Sequence, residues 1–334
     1  MEINKVIIWG HLLHSHTHSY IHNGYYIAFK EMGYDTHWFD DNSDITNFDF
    51  SHSLFITEHQ VDNKIPKRND CLYFVHFLEK HKYPGVNSSN LIDLKCTFRD
   101  MNRDCGKEYK KDRKNPGNII FTPLNEKKFE YYSIINNQLT YYTMWATDLF
   151  PKQIEYNINN IIDIQKKRTP NIYFVGSLIY IWPQFKQICD ANKIPFFNCG
   201  AKWINGPIGN QLSKTDALSI EQNKELIQKS YIAPALQSEE QVYEEYIPCR
   251  IFKNISYGKM GITNSKKVYD LFDKKIIYDS NIINLIQKSI LFEQNPDSKV
   301  IIELMKYVKN NHTYIQRIES LKIFINKHTS FTIM

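Results

Sequence analysis

Short apolar runs alternate with longer segments whose apolar residues recur every three or four positions. Lys5 to Trp9 (KVIIW), ending at Gly10, predicts a strand buried on both faces. After a His-rich loop, Ile21, Tyr25, Ala28, Phe29 and Met32 share one face of a predicted helix over Tyr20 to Met32, with Gly33 as its stop. Thr36 to Phe39, Ser53 to Thr57 and Cys71 to Phe77 predict further strands. This alternation predicts an α/β fold with a doubly wound parallel sheet, which binds ligands beyond the carboxyl ends of its strands. The loops carrying His14 to His18, Glu58-His59 and His76 then open into one crevice.

Tyr83 to Gly117 is polar and reads as loops around one strand, Leu91 to Thr97, while Ile119 to Phe121 and Leu139 to Met144 predict the last strands of a first domain. A helix over Pro151 to Thr169 is broken by Pro170, and Asn171 to Val175 (NIYFV) starts a second round. There follow a helix (Phe185 to Asn192), a strand (Ile194 to Asn198), a helix (Ser219 to Ser230) and a strand (Tyr231 to Leu236). Ile276 to Tyr278 predicts a last strand, and Asn281 to Glu293 and Lys299 to His328 terminal helices, with Val300 to Ile325 the longest apolar-periodic run. The expected division is residues 1–150 and 151–300, with 301–334 as a helix that can cross back to the first domain.

Tyr246 to Ser265 carries the most specific local signal. Pro248 suits a helix's first turn, Gly258 a left-handed stop, and Ile251, Phe252 and Ile255 form one apolar face. Arg250, Lys253 and Asn254 gather on the other side, where a helix start with added cations suits a phosphate. The plain alternative is an amphipathic helix with solvated Arg and Lys.

This stretch resembles the donor-binding segment of GT-B glycosyltransferases of the group 1 and spore-maturation types, where R-x-F-E-x-x-x-x-G precedes a strand. Three more segments follow in the matching order: Y-F-V-G-S at Tyr173 to Ser177, a strand with G-x-x-W at Gly200 to Trp203, and, more loosely, Ala28 to Thr36 in the first domain. The resemblance implies two Rossmann-like domains facing a cleft, with transfer of a sugar from a nucleoside-diphosphate donor (UDP or GDP) to a glycan, glycoprotein or glycolipid hydroxyl. It implies donor contacts at Gly176, Ser177, Gly200, Trp203, Glu245, Tyr246, Arg250, Lys253 and Asn254. Glu245 holds the first of two family Glu positions and Lys253 replaces the second, the usual ribose ligand, so the ribose contact is left open. No cofactor is expected, the nucleotide-sugar being a substrate.

Composition narrows the class. In 334 residues, 42% apolar and 23% charged content suits a soluble two-domain protein, and the net charge of +5 is spread along the chain. The Lys107 to Lys114 cluster reads as a solvated loop, so no nucleic-acid partner is expected. No apolar run reaches membrane-spanning length and no signal peptide is evident, giving a cytoplasmic expectation that leaves peripheral membrane contact open. The six cysteines lack metal-ligand spacing and read as buried free thiols.

Ten of the twelve histidines precede residue 82, four of them at His11, His14, His16 and His18. A transfer that inverts the anomeric centre needs a base for the acceptor hydroxyl, and imidazole suits it near neutral pH. His16 or His18 is the expected base, Glu58 or Asp40 an orienting carboxylate, and His76 matches the V-V-H that group 1 enzymes carry at the cleft. Two rivals remain open: a metallohydrolase built on the alternating His14, His16 and His18, and a non-catalytic nucleotide or sugar binder. Asp40 to Asp44 reads as a polar turn and not as a D-x-D metal grip.

Overall fold

The computed structural model describes residues 1–16, 18–111, 117–175, 182–199, 203–204, 211–212 and 217–334. The chain divides into two units, Met1–Met144 with Tyr314–Met334, and Trp145–Thr313; the sequence reading drew the divisions at 150 and 300.

Unit 1 is built on one mostly parallel sheet. Its elements are β1 (Lys5–Trp9), α1 (Ser19–Glu31), β2 (Thr36–Phe39), β3 (Ser53–Glu58), β4 (Leu72–His76), β5 (Leu91–Cys96), α2 (Arg99–Asp104), β6 (Thr122–Pro123), β7 (Tyr131–Ile135) and β8 (Gln138–Thr143). The sheet order is β2-β1-β3-β4-β5-β8-β7-β6, parallel from β2 to β8. Val6, Ile7 and Ile8 are fully buried, and every residue of β3 and β4 is buried, as expected where both faces of a strand are covered. The chain leaves β1 for β2 on one side and returns to β3 on the other, so β1 and β3 flank the point where strand order reverses.

The far edge differs from the expected one. Ile119 to Phe121 is not a strand: it lies outside the ladder, with Ile120 79% exposed. The edge is instead the two-residue β6, directly after that run, laid antiparallel on the hairpin β7–β8, which turns through Asn136 and Asn137 at φ of 50° and 59°. Asn tolerates that left-handed conformation better than most residues, and two in a row match the right-handed twist of a hairpin.

The C-terminal helix, Tyr314–His328, packs on α1 within this unit. A Cβ on Gly24 would sit 2.1 Å from the Tyr314 ring, so only glycine fits at that crossing. Phe324 packs on Phe74 and Tyr141, and the buried Arg317 donates to Glu130 Oε1 at 2.7 Å and to the Met144 carbonyl at 2.8 Å. The Val300 to Ile325 run is therefore two helices, interrupted at His312 and Thr313, where the buried His312 ring stacks 4.2 Å from Phe252.

Unit 2 contains α3 (Pro151–Asn159), α4 (Ile161–Lys166), β9 (Ile172–Val175), α5 (Trp182–Ala191), β10 (Phe196–Cys199), β11 (Trp203–Ile204), β12 (Gln211–Leu212), α6 (Ile220–Lys229), α7 (Glu239–Tyr243), α8 (Cys249–Ser256), β13 (Ile262–Thr263), α9 (Lys266–Leu271), β14 (Ile277–Tyr278), α10 (Ile282–Gln294) and α11 (Ser298–Asn311). β9 pairs with β10 and β13 with β14, both parallel. Residues 231–236 join the two pairs, since the Tyr231 amide donates to Asn171 O and the Ala235 amide to Ile262 O. The pairs and the segment between them thus lie in the order β10, β9, 231–236, β13, β14. The unit begins and ends at one place: the Thr147 amide donates to His312 O at 3.0 Å, and Thr147 bridges Thr313.

Among the described residues, no helix is long and apolar enough to cross a membrane. Cys105 is exposed, unlike the buried Cys71, Cys96 and Cys189.

Candidate functional site

The carboxyl ends of β1, β3 and β4 and the start of α1 bring together five imidazoles and one carboxylate. Gly10 ends β1 because the His22 ring occupies the space beside it: a Cβ there would lie 2.0 Å from His22 Cε1. His11 follows, its ring stacked on His16 at 4.2 Å, and His16 lies 5.2 Å from His18 by ring centroids. His18 sits at the start of α1 and His22 one turn on, on the same face. His76 closes β4 with its ring 5.1 Å from His18.

Glu58, the last residue of β3, is the hub. It is 1% exposed, with Oε1 3.2 Å from His11 Nε2 and Oε2 against His18 Nδ1. Burial raises its carboxyl, but His18, His22 and His11 outweigh that and hold it at about 2, so it is ionised at neutral pH. Burial pulls His16 and His22 down to about 4 and His76 well below its ordinary value. Three buried, neutral imidazoles thus lie around a buried anion.

The rim is strained. His14, Phe77 and Phe98 adopt φ of 69°, 60° and 66°. Phe98 is the centre of a three-residue turn closed by the Arg99 amide on Thr97 O at 3.0 Å, a rare backbone geometry. Arg99 then clasps Asp100, which also accepts the Cys96 amide at 2.6 Å. His76, Cys96 and Asp100 lie close together, but the Asp100 oxygens are already engaged.

Of the residues expected to supply a base, His16, His18, Glu58 and His76 meet here. Asp40 does not: its carboxylate closes a turn, accepting from the Asn42 amide and Ser43 Oγ. His14 lies against Tyr20 instead. The expectation did not include His22, whose signal is its place four residues beyond His18 on a predicted helix, or His11 as a neighbour of Glu58.

In unit 2, α8 forms between Pro248 and Gly258 as expected, with Ile251, Phe252 and Ile255 fully buried and Gly258 at φ 91°. Arg250 lies with its guanidinium 4.2 Å from the Phe174 ring centre and donates to Val175 O at 2.8 Å, at the carboxyl end of β9. Burial pulls it down to about 10, still a full cation at neutral pH, and among the described residues it has no carboxylate partner. Lys253 differs, being paired with Asp148 at 3.0 Å; Asp148 also accepts the Tyr257 hydroxyl at 2.6 Å. Asn254 is 2% exposed and donates to Ala233 O, which fixes the 231–236 segment rather than facing a ligand. Glu245 pairs with Lys267 at 3.0 Å, and the Tyr246 carbonyl accepts from Gln237. Trp203 lies in β11, while Gly176, Ser177 and Gly200 lie outside the described residues.

No protein-family model and no curated protein matches the chain, so its function has to be argued from these residues.

Proposed function

We propose that the chain is a GT-B-type glycosyltransferase, in which unit 2 binds a nucleoside-diphosphate sugar and unit 1 activates an acceptor hydroxyl. The observation that carries this reading is Arg250. A half-buried cation at the carboxyl end of β9, stacked on an aromatic ring and with no carboxylate partner among the described residues, is matched by an anionic ligand such as a diphosphate. Lys253 is tied to Asp148, so Arg250 carries the phosphate contact and stabilises the departing diphosphate without a metal bridge. In unit 1, His18 is the base. Its side chain is 23% exposed, enough to meet an acceptor, and the adjacent Glu58 anion stabilises the imidazolium formed when it takes the hydroxyl proton. The acceptor oxygen bonds to the anomeric carbon as the carbon–oxygen bond to the diphosphate breaks, with inversion.

The test is a thermal-shift screen against UDP, GDP and CMP. Ligand at 100 times its Kd adds about 2.7 kcal/mol, several degrees of Tm. UDP or GDP is expected to stabilise the protein, and Arg250→Ala to weaken that binding by about 1.5–3 kcal/mol. Undiminished nucleotide affinity in a folded Arg250→Ala protein removes Arg250 from the site and the reading with it.

A further inference from the structure

His11 Nε2 and Glu58 Oε1 lie 3.2 Å apart, yet neither atom makes a hydrogen bond. The distance suits a hydrogen bond but the alignment does not. The spacing is that of neighbouring ligands on one metal ion: bonds of about 2.0–2.1 Å in a tetrahedron set ligand atoms roughly 3.3 Å apart. His16 adds a ring nitrogen, and the three ligand atoms lie within 4.8 Å of one another. On the other side of the carboxylate, Glu58 Oε2 meets His18 Nδ1, again in contact and again without hydrogen-bond alignment.

A carboxylate this deeply buried ordinarily accepts aligned hydrogen bonds at both oxygens, because leaving them unmet carries a large desolvation penalty. Here both oxygens face imidazole nitrogens that do not point protons at them. A cation between them satisfies the carboxylate and the rings together.

We infer that His11, His16 and Glu58 bind one divalent transition-metal ion, with Glu58 Oε1 and His11 Nε2 among its ligands. Two imidazoles and a carboxylate suit Zn²⁺, Co²⁺, Fe²⁺ or Mn²⁺, whereas Mg²⁺ and Ca²⁺ take oxygen ligands. Three protein ligands leave a coordination position for water or a substrate hydroxyl, beside His18, which the second oxygen of Glu58 holds in place. The site is built from unit 1 residues alone and does not depend on the transferase reading.

The test uses the full chain, stripped with a chelator and titrated with Co²⁺ by visible absorption, with Zn²⁺ in competition and Mg²⁺ as control. One Co²⁺ per chain is expected, displaced by Zn²⁺ and indifferent to Mg²⁺. Glu58→Gln and His11→Ala should each weaken Co²⁺ binding by about 100-fold or more, with Cys105→Ser, at an exposed thiol, unchanged. Where a variant fails to fold, the unaltered protein still decides: Zn²⁺ should protect His11 and His16 from diethylpyrocarbonate, read by peptide mass. Absence of stoichiometric Co²⁺, binding that survives Glu58→Gln, or modification of His11 and His16 unaffected by Zn²⁺ overturns the proposal.

Discussion

Glu58 and Glu130 are both carboxylates 1% exposed in the same unit, and their surroundings are opposite. Glu130 accepts from Arg317 at 2.7 Å and from Ser320 Oγ at 3.3 Å, so each oxygen has an aligned donor. Glu58 sits among imidazoles with neither oxygen hydrogen-bonded. Glu293, in unit 2, is intermediate: one oxygen takes Arg168, while the other lies 3.9 Å from Lys259 without a hydrogen bond. The fold can complete a buried carboxylate and does so at Glu130. Where it stops short, as at Glu58, the missing partner is a ligand or a proton in transit.

The comparison breaks most sharply at Glu130. Glu130→Leu leaves Arg317 buried without its carboxylate and should reduce unfolding free energy by about 3–5 kcal/mol, whereas Glu130→Leu with Arg317→Met should recover most of it. Chemical denaturation of both proteins checks this, and a single-variant loss under about 1 kcal/mol would show the pair to be solvated.

Glu293 makes a prediction in pH. Burial pulls the Lys259 ammonium down to about 7 against the opposing pull of Glu293. The folded protein thus holds fewer protons than the unfolded chain between about pH 7 and the ordinary lysine value near 10.4, so stability should rise with pH across that window. The contribution is at most about 1.4 kcal/mol per pH unit. Lys259→Met should flatten this part of the profile, and an unchanged slope would show that Lys259 stays charged in the fold.

Glu58 should give a smaller change than Glu130. In metal-free protein at neutral pH, Glu58→Gln removes the charge whose attraction to His18, His22 and His11 holds the carboxyl low, and is expected to reduce unfolding free energy by about 1–3 kcal/mol. A drop matching that of Glu130→Leu would make Glu58 a structural carboxylate and erase the contrast.

Much of this architecture can be read from local pattern. Val6 to Trp9 and Leu54 to Ile56 are apolar because parallel strands bury both faces, and Pro248 and Gly258 bracket α8 because proline fixes φ and glycine accepts the left-handed stop. The β7 strand escaped notice although Asn136-Asn137 marks its turn, since Tyr131 to Ile135 alternates only weakly between buried and exposed. Ile119 to Phe121 misled because three apolar residues suit an exposed segment as well as a strand. At the site, the rule that ligands lie beyond the strand ends gathers His16, His18, Glu58 and His76, whereas their angles depend on where Gly10 lets His22 pack. No sequence pattern showed that Lys253 would meet Asp148, more than one hundred positions away.

Unit 2 begins and ends at the Thr147–His312 contact, so it stands in the chain as an insert within unit 1. On the ribosome, the first stretch of unit 1 must therefore wait for all of unit 2 before Tyr314 and Arg317 emerge, about ten to thirty seconds at ordinary synthesis rates. During that interval the groove over Gly24 is open and Glu130 has not yet met its arginine. The nascent chain has a finite time in which its largest sheet is uncovered, and the helix Tyr314–His328, made after all of unit 2, is the one that seals the unit begun before it.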